Sequence, residues 1–508
     1  MAHTFVALPK DGEAVLLVDQ NGKNFRQVLW GDWLLLDDDQ ANIPLGNGWR
    51  RIIWAPESDN PRTLYIETRF TSEKRPLEII FLDVGQGDGA VLITPEGLAD
   101  ERVIVIDAGE RQDMHEFLKI RFSNYRDLNF EAAIITHPDE DHYYGFRPIF
   151  EDPKIGFKTV YHNGLVERAD GDGFERIGGL TTDPILNEEY LENLAIDTDD
   201  IEALFGPQVD IGRKKFASVM RAALENQKIN SLQILSPFHG KEEAGRIFMP
   251  EFAPSDNKPY SIEVLGPLVE KTLTGKPRLR KIGDYGETKN GHSVILRLQY
   301  SKIKVLFGGD LNEDAEKFLL TQYAGLNSFP AKGSDEYEAM KQAVSVWFAA
   351  DVMKVCHHGS EKVTDAFMET VHPTAFVISS GDKEGYVHPR PDLLGRLGRI
   401  GRGEAPVLLS TELQRSTREK EDEKLVARLK REINKLPNNN TPERRKHIDE
   451  MIGELAKTNI DVYGSIYVKT DGERLIAAFK KESASETEKW FYFEYMLDNN
   501  GILTLISR

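Results

Sequence analysis

The chain has 508 residues, and its 83 acidic and 64 basic side chains give a formal net charge of -19 at pH 7. This length predicts several domains or one large domain with insertions, and the charge argues against nonspecific coating of nucleic acid or anionic membranes. The single cysteine excludes an intramolecular disulfide, and no signal peptide or membrane-spanning apolar run is recognisable, so we expect a cytoplasmic protein without membrane contact.

The first part of the chain, residues 1–74, reads as short alternating strands separated by turn clusters. Its Trp-Gly-Asp-Trp and Gly-Trp-Arg pieces resemble those of small bacterial SH3-like barrels. We therefore predict a small all-β, SH3-like domain here.

From residue 75 the pattern changes to apolar strands that end in glycine and acid, such as LEIIFLDVGQGD and RVIVIDAGE, with a helix predicted over 112–122. A segment at 150–285 interrupts this pattern: EEYLENLAI and KKFASVMRAALENQKI predict helices, and KTLTGKPRLRKIG predicts a basic loop. The strands resume with the alternating hairpin HSVILRLQYSKIKVLFGGD. We predict one core over 75–410 with an insertion, a charged helical hairpin at 411–460 around PNNN, and strands at 461–508 that complete the core.

The stretch THPDEDH follows a short apolar strand and carries His137, Asp139, Asp141 and His142. On a loop that leaves a strand, this spacing can turn alternate side chains toward one metal ion and the remaining pair toward a second. The alternative is an acidic surface loop with incidental histidines.

Further metal-ligand types recur at later strand ends. Gly-His-Ser at 291–293 begins a strand, Gly309-Asp310 ends one, and His-His-Gly-Ser at 357–360 ends another. Each histidine alone would more often be structural. Together, in this order, they predict one site.

This order resembles that of the metallo-β-lactamase superfamily, and in particular a soluble, stand-alone form of its ComEC-type competence-protein branch. The matching segments are FLDVGQGDGAVLI (81–93), VIDAG (105–109), THPDEDH (136–142), HSVILRL with LFGGD (292–310), VMKVCHHGS (352–360), AFVISSGDKEGYVHP (375–389) and GSIYVKTDG (464–472). The resemblance implies an α/β fold, the αββα sandwich, with a large insertion and the small N-terminal domain. It does not imply DNA uptake, because the channel-forming membrane part of competence proteins has no counterpart in the sequence.

The resemblance also implies a centre of two divalent metal ions. The expected ligands are His137, Asp139 and His292 for the first ion, Asp141, His142 and either His357 or His358 for the second, and Asp310 between them. His358 is favoured over its neighbour because it precedes glycine. Asp139 stands where most of the superfamily has histidine, and its harder oxygen shifts the preference from Zn²⁺ toward Mn²⁺ or Mg²⁺.

Other residues are expected around these ligands. Asp107 would orient ligand histidines, whereas Asp83 and Asp88 would line the cleft or simply form a glycine-rich turn. The expected catalytic residues are Asp141, Asp310 and His388. His388 would donate a proton or bind an anionic oxygen of the substrate, although a loop-anchoring role is equally compatible with the sequence.

Two cations about 3.5–4 Å apart lower the pKa of a bridging water and neutralise the attacking and leaving oxygens of a displacement, which favours phosphodiesters. We therefore predict a phosphodiesterase with a metal-bridging hydroxide as nucleophile. The resemblance to the competence branch implies DNA, or RNA, as the substrate and hence a nuclease, and we expect it to act in antiviral defence. Two basic stretches, KPRLRK and RPDLLGRLGRIGRG, could contact nucleic acid or could be solvated or packed faces. The expected contacts are Arg278, Arg280, Lys281 and Arg390.

Two alternative functions stay open. The chain could hydrolyse a small phosphodiester, such as a cyclic nucleotide or a headgroup, with the insertion as a roof over a closed pocket. It could also be a scaffold with a structural metal site, whose N-terminal barrel or charged hairpin binds a protein partner.

Overall fold

The computed structural model describes residues 2–10, 12–56, 60–98, 100–381, 388–412, 423–436, 441–448, 451, 464–481 and 485–507. Their strands form four β-sheets. Within these ranges, no helix has both the length and the apolar character needed to cross a membrane.

The N-terminal residues form a seven-stranded sheet of their own, in the order β3-β2-β6-β5-β4-β1-β7. Its strands are β1 (His3–Val6), β2 (Val15–Val18), β3 (Asn24–Val28), β4 (Trp33–Leu36), β5 (Trp49–Trp54), β6 (Arg62–Glu67) and β7 (Thr71–Ser72). Alternating side chains such as Leu17, Ile52 and Ile66 close a small separate core. The SH3-like assignment and the predicted domain boundaries stay predictions.

The second sheet has ten strands in the order β15-β12-β11-β10-β9-β8-β26-β27-β28-β29. These are β8 (Leu77–Phe81), β9 (Gly89–Ile93), β10 (Val103–Ala108), β11 (Asn129–Ile135), β12 (Gly156–His162), β15 (Leu232–Ile234), β26 (Ile466–Thr470), β27 (Arg474–Lys480), β28 (Trp490–Leu497) and β29 (Leu503–Ser507). The late strand β26 pairs antiparallel with β8, from Phe81 opposite Ile466 to Leu77 opposite Thr470. The end of the chain therefore extends the sheet that its first core strands begin.

The third sheet has eight strands in the order β16-β17-β18-β21-β22-β23-β24-β25. These are β16 (Lys241–Glu243), β17 (Arg246–Phe248), β18 (Tyr260–Gly266), β21 (Ile295–Tyr300), β22 (Ile303–Phe307), β23 (Val352–Lys354), β24 (Ala375–Ile378) and β25 (Val407–Ser410). The hairpin predicted within residues 292–310 is confirmed, because β21 and β22 pair antiparallel around a tight turn.

The ten- and eight-stranded sheets face each other across one apolar core. Phe81 of the first and Phe307 of the second meet with ring centroids 5.9 Å apart, and Ile79 lies in the same core. The next residue on that strand, Ile80, points the opposite way and packs under helices on the outer face. A third core covers the outer face of the eight-stranded sheet, so the predicted αββα sandwich is confirmed.

Ten α-helices accompany the sheets in the described residues between 113 and 400. They are α1 (Asp113–Phe122), α2 (Glu140–Tyr143), α3 (Phe146–Glu151), α4 (Thr198–Phe205), α5 (Lys215–Glu225), α6 (Tyr285–Gly291), α7 (Glu313–Tyr323), α8 (Asp335–Phe348), α9 (Asp365–Val371) and α10 (Pro391–Ile400). Buried side chains of α1, α3, α4 and α5 cover the ten-stranded sheet, and those of α7 to α10 cover the other. The helix predicted over 112–122 is confirmed as α1.

The insertion contains a small fourth sheet in the order β13-β14-β20-β19. Its strands are β13 (Thr181–Thr182), β14 (Glu189–Leu191), β19 (Glu270–Lys271) and β20 (Pro277–Arg280). The prediction of a helix over EEYLENLAI is therefore wrong, because Tyr190 and Leu191 pair with β20 instead. The predicted basic loop KTLTGKPRLRKIG likewise contains β19 and β20, whereas the helix predicted over 214–229 is confirmed as α5.

The charged segment after β25 is described only in part. A helix spans Glu423–Lys435, and residues 442–448 are helical. The PNNN turn of the predicted hairpin lies outside the described residues, as do residues 382–387 of the predicted DKEGYVHP loop.

Candidate metal centre

The candidate site lies where several strands of both large sheets end. β10 and β11 run parallel, so Asp107, near the end of β10, and the THPDEDH loop after β11 meet at one edge. From the facing sheet, β22 and β23 also run parallel and bring Asp310 and His358 to the same edge. The fold therefore gathers residues that are far apart in the chain.

Three ligand atoms converge at this edge, and a fourth lies beside one of them. Nε2 of His142 lies 3.2 Å from Nε2 of His358 and 3.3 Å from Oδ2 of Asp310. Nε2 of His358 lies 3.0 Å from the same Asp310 oxygen and 3.4 Å from Oδ2 of Asp141. Such spacings match the edges, about 3.3 Å, of a tetrahedron around an ion with bonds of about 2.0 Å. These four residues are those predicted for the second ion and the bridge.

The outer nitrogens of both histidines face carboxylates. Nδ1 of His142 lies 2.8 Å from Oδ2 of Asp107, and Nδ1 of His358 lies 3.2 Å from Oδ1 of Asp88 and 3.0 Å from the carbonyl oxygen of Ser379. Hydrogen bonds of this kind fix the ring orientation and tautomer of a metal-ligating histidine.

By mutual distance the fourth member of the group is Asp88 rather than Asp141, because Asp88 offers an oxygen within 4.8 Å of ligand atoms on His142, Asp310 and His358. It meets His358 at Nδ1, however, on the side of the ring away from Nε2. Asp141, which faces Nε2, is therefore the better fourth ligand, and Asp88 is better placed to orient the ring.

The electrostatics of the group favour positive charge between its carboxylates. Burial would lower the pKa values of His142 and His358, but the carboxylates, Asp310 foremost, raise both pKa values well above the usual value. Burial would raise the pKa of Asp310, but the two histidines lower that pKa well below its usual range. Oδ1 of Asp310 is buried without a hydrogen-bond partner among the described residues. A divalent ion could replace the two imidazolium protons, so these residues fit a metal.

The site is built on strained backbone. Asp107, His357 and His358 have φ angles of 54°, 50° and 51°, in the left-handed region that costs non-glycine residues about 1–3 kcal/mol each. The two consecutive left-handed residues lie in the 3-10 turn Cys356–Gly359, which directs His358 into the group. His357 is not part of the group, so the geometry favours His358 where the sequence left both histidines open.

Sequence reasoning missed a lysine inside the group. Lys354, in β23, is buried and forms ion pairs with Asp88 and, at 3.6 Å, with Oδ1 of Asp310. It also donates to the carbonyl oxygen of Gly309 at 3.0 Å. Burial would lower the pKa of Lys354, but these carboxylates raise it. The sequence signal for this role was a lysine at the end of VMK, a short and otherwise apolar strand that leads into the HHGS motif.

The residues predicted for the first ion do not converge in the same way. Nε2 of His137 is buried and lies 3.6 Å from Oδ2 of Asp139. His292 instead donates from Nε2 to the carbonyl oxygen of Arg280 at 2.7 Å, and burial lowers the pKa of His292 to about 4. Asp139 forms an ion pair with Lys289, a second lysine that sequence reasoning missed.

His388, Asp83 and Asp141 differ in their surroundings. The ring of His388 lies 6.1 Å from that of His357, and burial lowers the pKa of His388 to about 4. Oδ1 of Asp83 accepts from the backbone N–H of Gly85 at 3.2 Å, a contact expected if Asp83 forms part of the glycine-rich turn. Burial would raise the pKa of Asp141, but the hydrogen bond with His358 and the charge of His142 lower it to about 2.

The basic residues predicted to contact substrate all pair with carboxylates. These ion pairs are Arg278 with Asp183 at 2.7 Å, Arg280 with Glu270 at 2.8 Å, Lys281 with Glu189 at 2.6 Å and Arg390 with Glu361 at 3.3 Å. Their charges are therefore largely compensated, which weakens the predicted electrostatic attraction. Their role in substrate binding stays a prediction.

Comparison with known proteins gives limited likenesses. No family model matches the sequence. A segment of 113 residues is 28% identical to ComE operon protein 3 of Bacillus subtilis (strain 168), and the match covers 22% of this chain and 12% of that protein. The crystal structure of Tm1679, described as a metal-dependent hydrolase of the β-lactamase superfamily, matches 66% of this chain and 95% of its own, with 12% identity and a TM-score of 0.26.

The fold assignment rests on the sheets and helices of this chain. The two large sheets pack on each other and helices cover their outer faces, so the chain has an αββα fold. Its His/Asp group lies at the edge where strands of both sheets end.

Proposed function

We propose that this chain is a metal-dependent hydrolase of phosphodiesters, and that its substrate is nucleic acid. The observation that supports a hydrolase best is the convergence of His142 Nε2, His358 Nε2 and Asp310 Oδ2 within 3.0–3.3 Å of one another, with Asp141 Oδ2 3.4 Å from His358 Nε2. Mixed nitrogen and carboxylate ligands suit Zn²⁺ and Mn²⁺, and Mg²⁺ would be held less well because it prefers oxygen.

The chain's own residues would prepare the site for this chemistry. A divalent ion bound there would polarise the phosphodiester and supply an activated water. Asp107 and Asp88 hold the two ligand rings so that both Nε2 atoms point inward. His388, with its pKa of about 4, is neutral at pH 7 and would meet a phosphate oxygen as a hydrogen-bond donor rather than as a charged acid.

A small phosphodiester is the second candidate substrate. Glu167 and Tyr285, both from the insertion, lie against Lys289 beside Asp139, so the insertion forms part of the wall of the site. The compensated charges of Arg278 and Arg280 also give a long polyanion less to bind. The expectations of a protein partner and of a role in antiviral defence stay predictions.

The test is hydrolysis by the purified chain with Mn²⁺, Zn²⁺ or Mg²⁺. The substrates are linear, circular and single-stranded DNA, RNA, cyclic dinucleotides and bis(p-nitrophenyl) phosphate. Cleavage of DNA or RNA supports the nuclease, and cleavage of the small substrates alone supports the second candidate.

The test variant is His358→Gln, and its matched control is His115→Gln. His115 pairs with Asp152 at 3.0 Å and is not part of the His/Asp group. We expect His358→Gln to abolish hydrolysis and His115→Gln to preserve it. Hydrolysis that survives in His358→Gln, or no hydrolysis of any substrate with any of the three metals, contradicts the proposal.

A further inference from the structure

A lysine lies where the sequence predicts the first metal ion. The ammonium of Lys289 contacts Oδ1 of Asp139, lies 3.1 Å from Oε1 of Glu167 and lies 3.5 Å from the carbonyl oxygen of Pro138. The residue is only 8% exposed. A positive charge is therefore already in place on the carboxylate that would serve the first ion.

Both oxygens of Asp139 are engaged. Lys289 occupies Oδ1, and the amide of Asn290, in the orientation that satisfies both of its ends, donates to Oδ2 at 2.8 Å. The same amide donates to the carbonyl oxygen of Gly286 at 3.1 Å. A metal ion at Asp139 would have to displace one of these two neighbours.

The remaining ligands predicted for the first ion do not complete a site. His137 offers its buried Nε2, but His292 is turned to the carbonyl oxygen of Arg280 at 2.7 Å. That leaves at most two ring nitrogens, Nε2 of His137 and Nδ1 of His292, whereas a metal site normally needs three or more protein ligands. While Lys289 holds Asp139, the donor set here therefore does not fit a second ion, and removal of Lys289 would free Oδ1 of Asp139 as a third ligand atom.

The lysine is held by built contacts. Lys289 lies on α6, one turn after Tyr285, so its ammonium reaches 4.9 Å from the centre of that ring. The hydroxyl of Tyr285 donates to Oε1 of Glu167 at 3.0 Å, and Arg176 donates to Oε2 of Glu167 at 2.8 Å. The helix begins with a capping box between Asp284 and Glu287, which fixes the position of the whole turn.

We propose that the ammonium of Lys289 takes the place of one of the two metal ions, so that the chain binds a single divalent ion at His142, His358, Asp310 and Asp141. The inference rests on the proposed metal centre but not on the choice of substrate. The covalently attached ammonium supplies the positive charge beside Asp139 without any bound metal. Only the single ion at His142, His358, Asp310 and Asp141 depends on metal supply.

The test counts bound ions. Wild-type protein is saturated with Mn²⁺, freed of excess metal by gel filtration and measured by elemental mass spectrometry against protein concentration. We expect one Mn²⁺ per chain. Two Mn²⁺ per chain would overturn the inference, and none would overturn it together with the metal centre.

Two variants test the part played by the lysine. Lys289→Met frees Oδ1 of Asp139, and we expect it to bind a second Mn²⁺. Lys281→Met loses a comparable ion pair, with Glu189 at 2.6 Å, and should keep one ion. A folded Lys289→Met protein that still binds one ion contradicts the assignment.

Asp139→Asn gives an independent result if Lys289→Met does not fold. Because Asp139 is not a metal ligand in this proposal, Asp139→Asn should keep one Mn²⁺, whereas loss of an ion would refute it. The outcomes also separate this inference from the proposed function. One bound ion without hydrolysis supports the single-ion inference and contradicts the proposed function. Two bound ions with hydrolysis support the function and contradict the single-ion inference.

Discussion

Oδ2 of Asp107 lies 2.8 Å from Nδ1 of His142, and this contact leaves Nε2 of His142 facing Asp310 and His358. Asp107 is itself fixed, because its two oxygens accept from the backbone N–H and the hydroxyl of Thr136 at 2.8 and 2.7 Å. The orientation of one ligand thus depends on a residue that does not touch the metal position.

Asp107→Asn tests this dependence. The remaining oxygen can still accept from the Thr136 backbone N–H, but an amide N–H replaces the acceptor that His142 faces. We expect the affinity for Mn²⁺ or Zn²⁺ to fall by about 10–100-fold, measured by competition with a chelator. Asp113→Asn, an exposed change at the start of α1, should leave the affinity unchanged. An unchanged affinity in Asp107→Asn would refute the orienting role.

The two adjacent histidines of the 3-10 turn should behave differently. We expect His358→Asn to lose most bound metal and His357→Asn to retain it, measured by metal content after gel filtration. Asparagine suits both positions because it tolerates the left-handed backbone that each histidine adopts, at φ of 51° and 50°. Equal metal loss in the two variants would contradict the assignment of His358.

Gly87→Ala should disturb the site through the backbone. Gly87 has φ of +108°, and a Cβ there would lie 1.9 Å from the carbonyl oxygen of Asp141. We expect the melting temperature and the metal content both to fall. Gly97→Ala is the matched control, because its Cβ would meet nothing within 4 Å and its φ is outside the left-handed region. Full metal content in Gly87→Ala would show that the loop can shift without cost to the ligands.

Glu316 should make stability depend on pH. Burial raises the pKa of Glu316 from 4.5 to about 8. Because the folded state holds this proton more tightly than the unfolded chain does, the stabilising contribution of Glu316 is fully present below pH 4.5. Between pH 4.5 and about 8 the free energy of unfolding falls as pH rises, by at most about 1.4 kcal/mol per pH unit.

The measurement is urea unfolding of wild type and Glu316→Gln at pH 5 and pH 8. We expect the free energy of unfolding to fall more in wild type than in Glu316→Gln, because the amide cannot ionise. Glu313→Gln, at an exposed position on the same helix, should follow wild type. Parallel pH profiles for wild type and Glu316→Gln would rule out a buried ionisation at this position.

The sequence predicted those parts of the structure that local patterns determine. His142, Asp310 and His358 each lie a few residues after a strand. The apolar run that forms each strand is visible in the sequence, so the position of each residue beyond a strand end could be predicted. The choice between His357 and His358 needed the backbone, since both follow the same strand and only the left-handed turn separates their directions.

The insertion was less predictable because its structure depends on distant partners. EEYLENLAI has the composition of a helix, yet Tyr190 pairs with Arg280, about ninety residues later in the chain. The contacts of Arg278 and Lys289 likewise involve acids elsewhere in the insertion and on the THPDEDH loop. A charge can be read from a sequence, but whether another charge already compensates it cannot.

The pairing of β8 with β26 affects how the chain can be assembled during synthesis. Phe81 is opposite Ile466, about 385 residues later, so one edge of β8 lacks its neighbour until almost the whole chain has emerged from the ribosome. β8 leads directly into the loop that carries Asp83 and Asp88. A nascent or truncated chain that ends before β26 would therefore expose an unpaired strand edge beside an incompletely supported site.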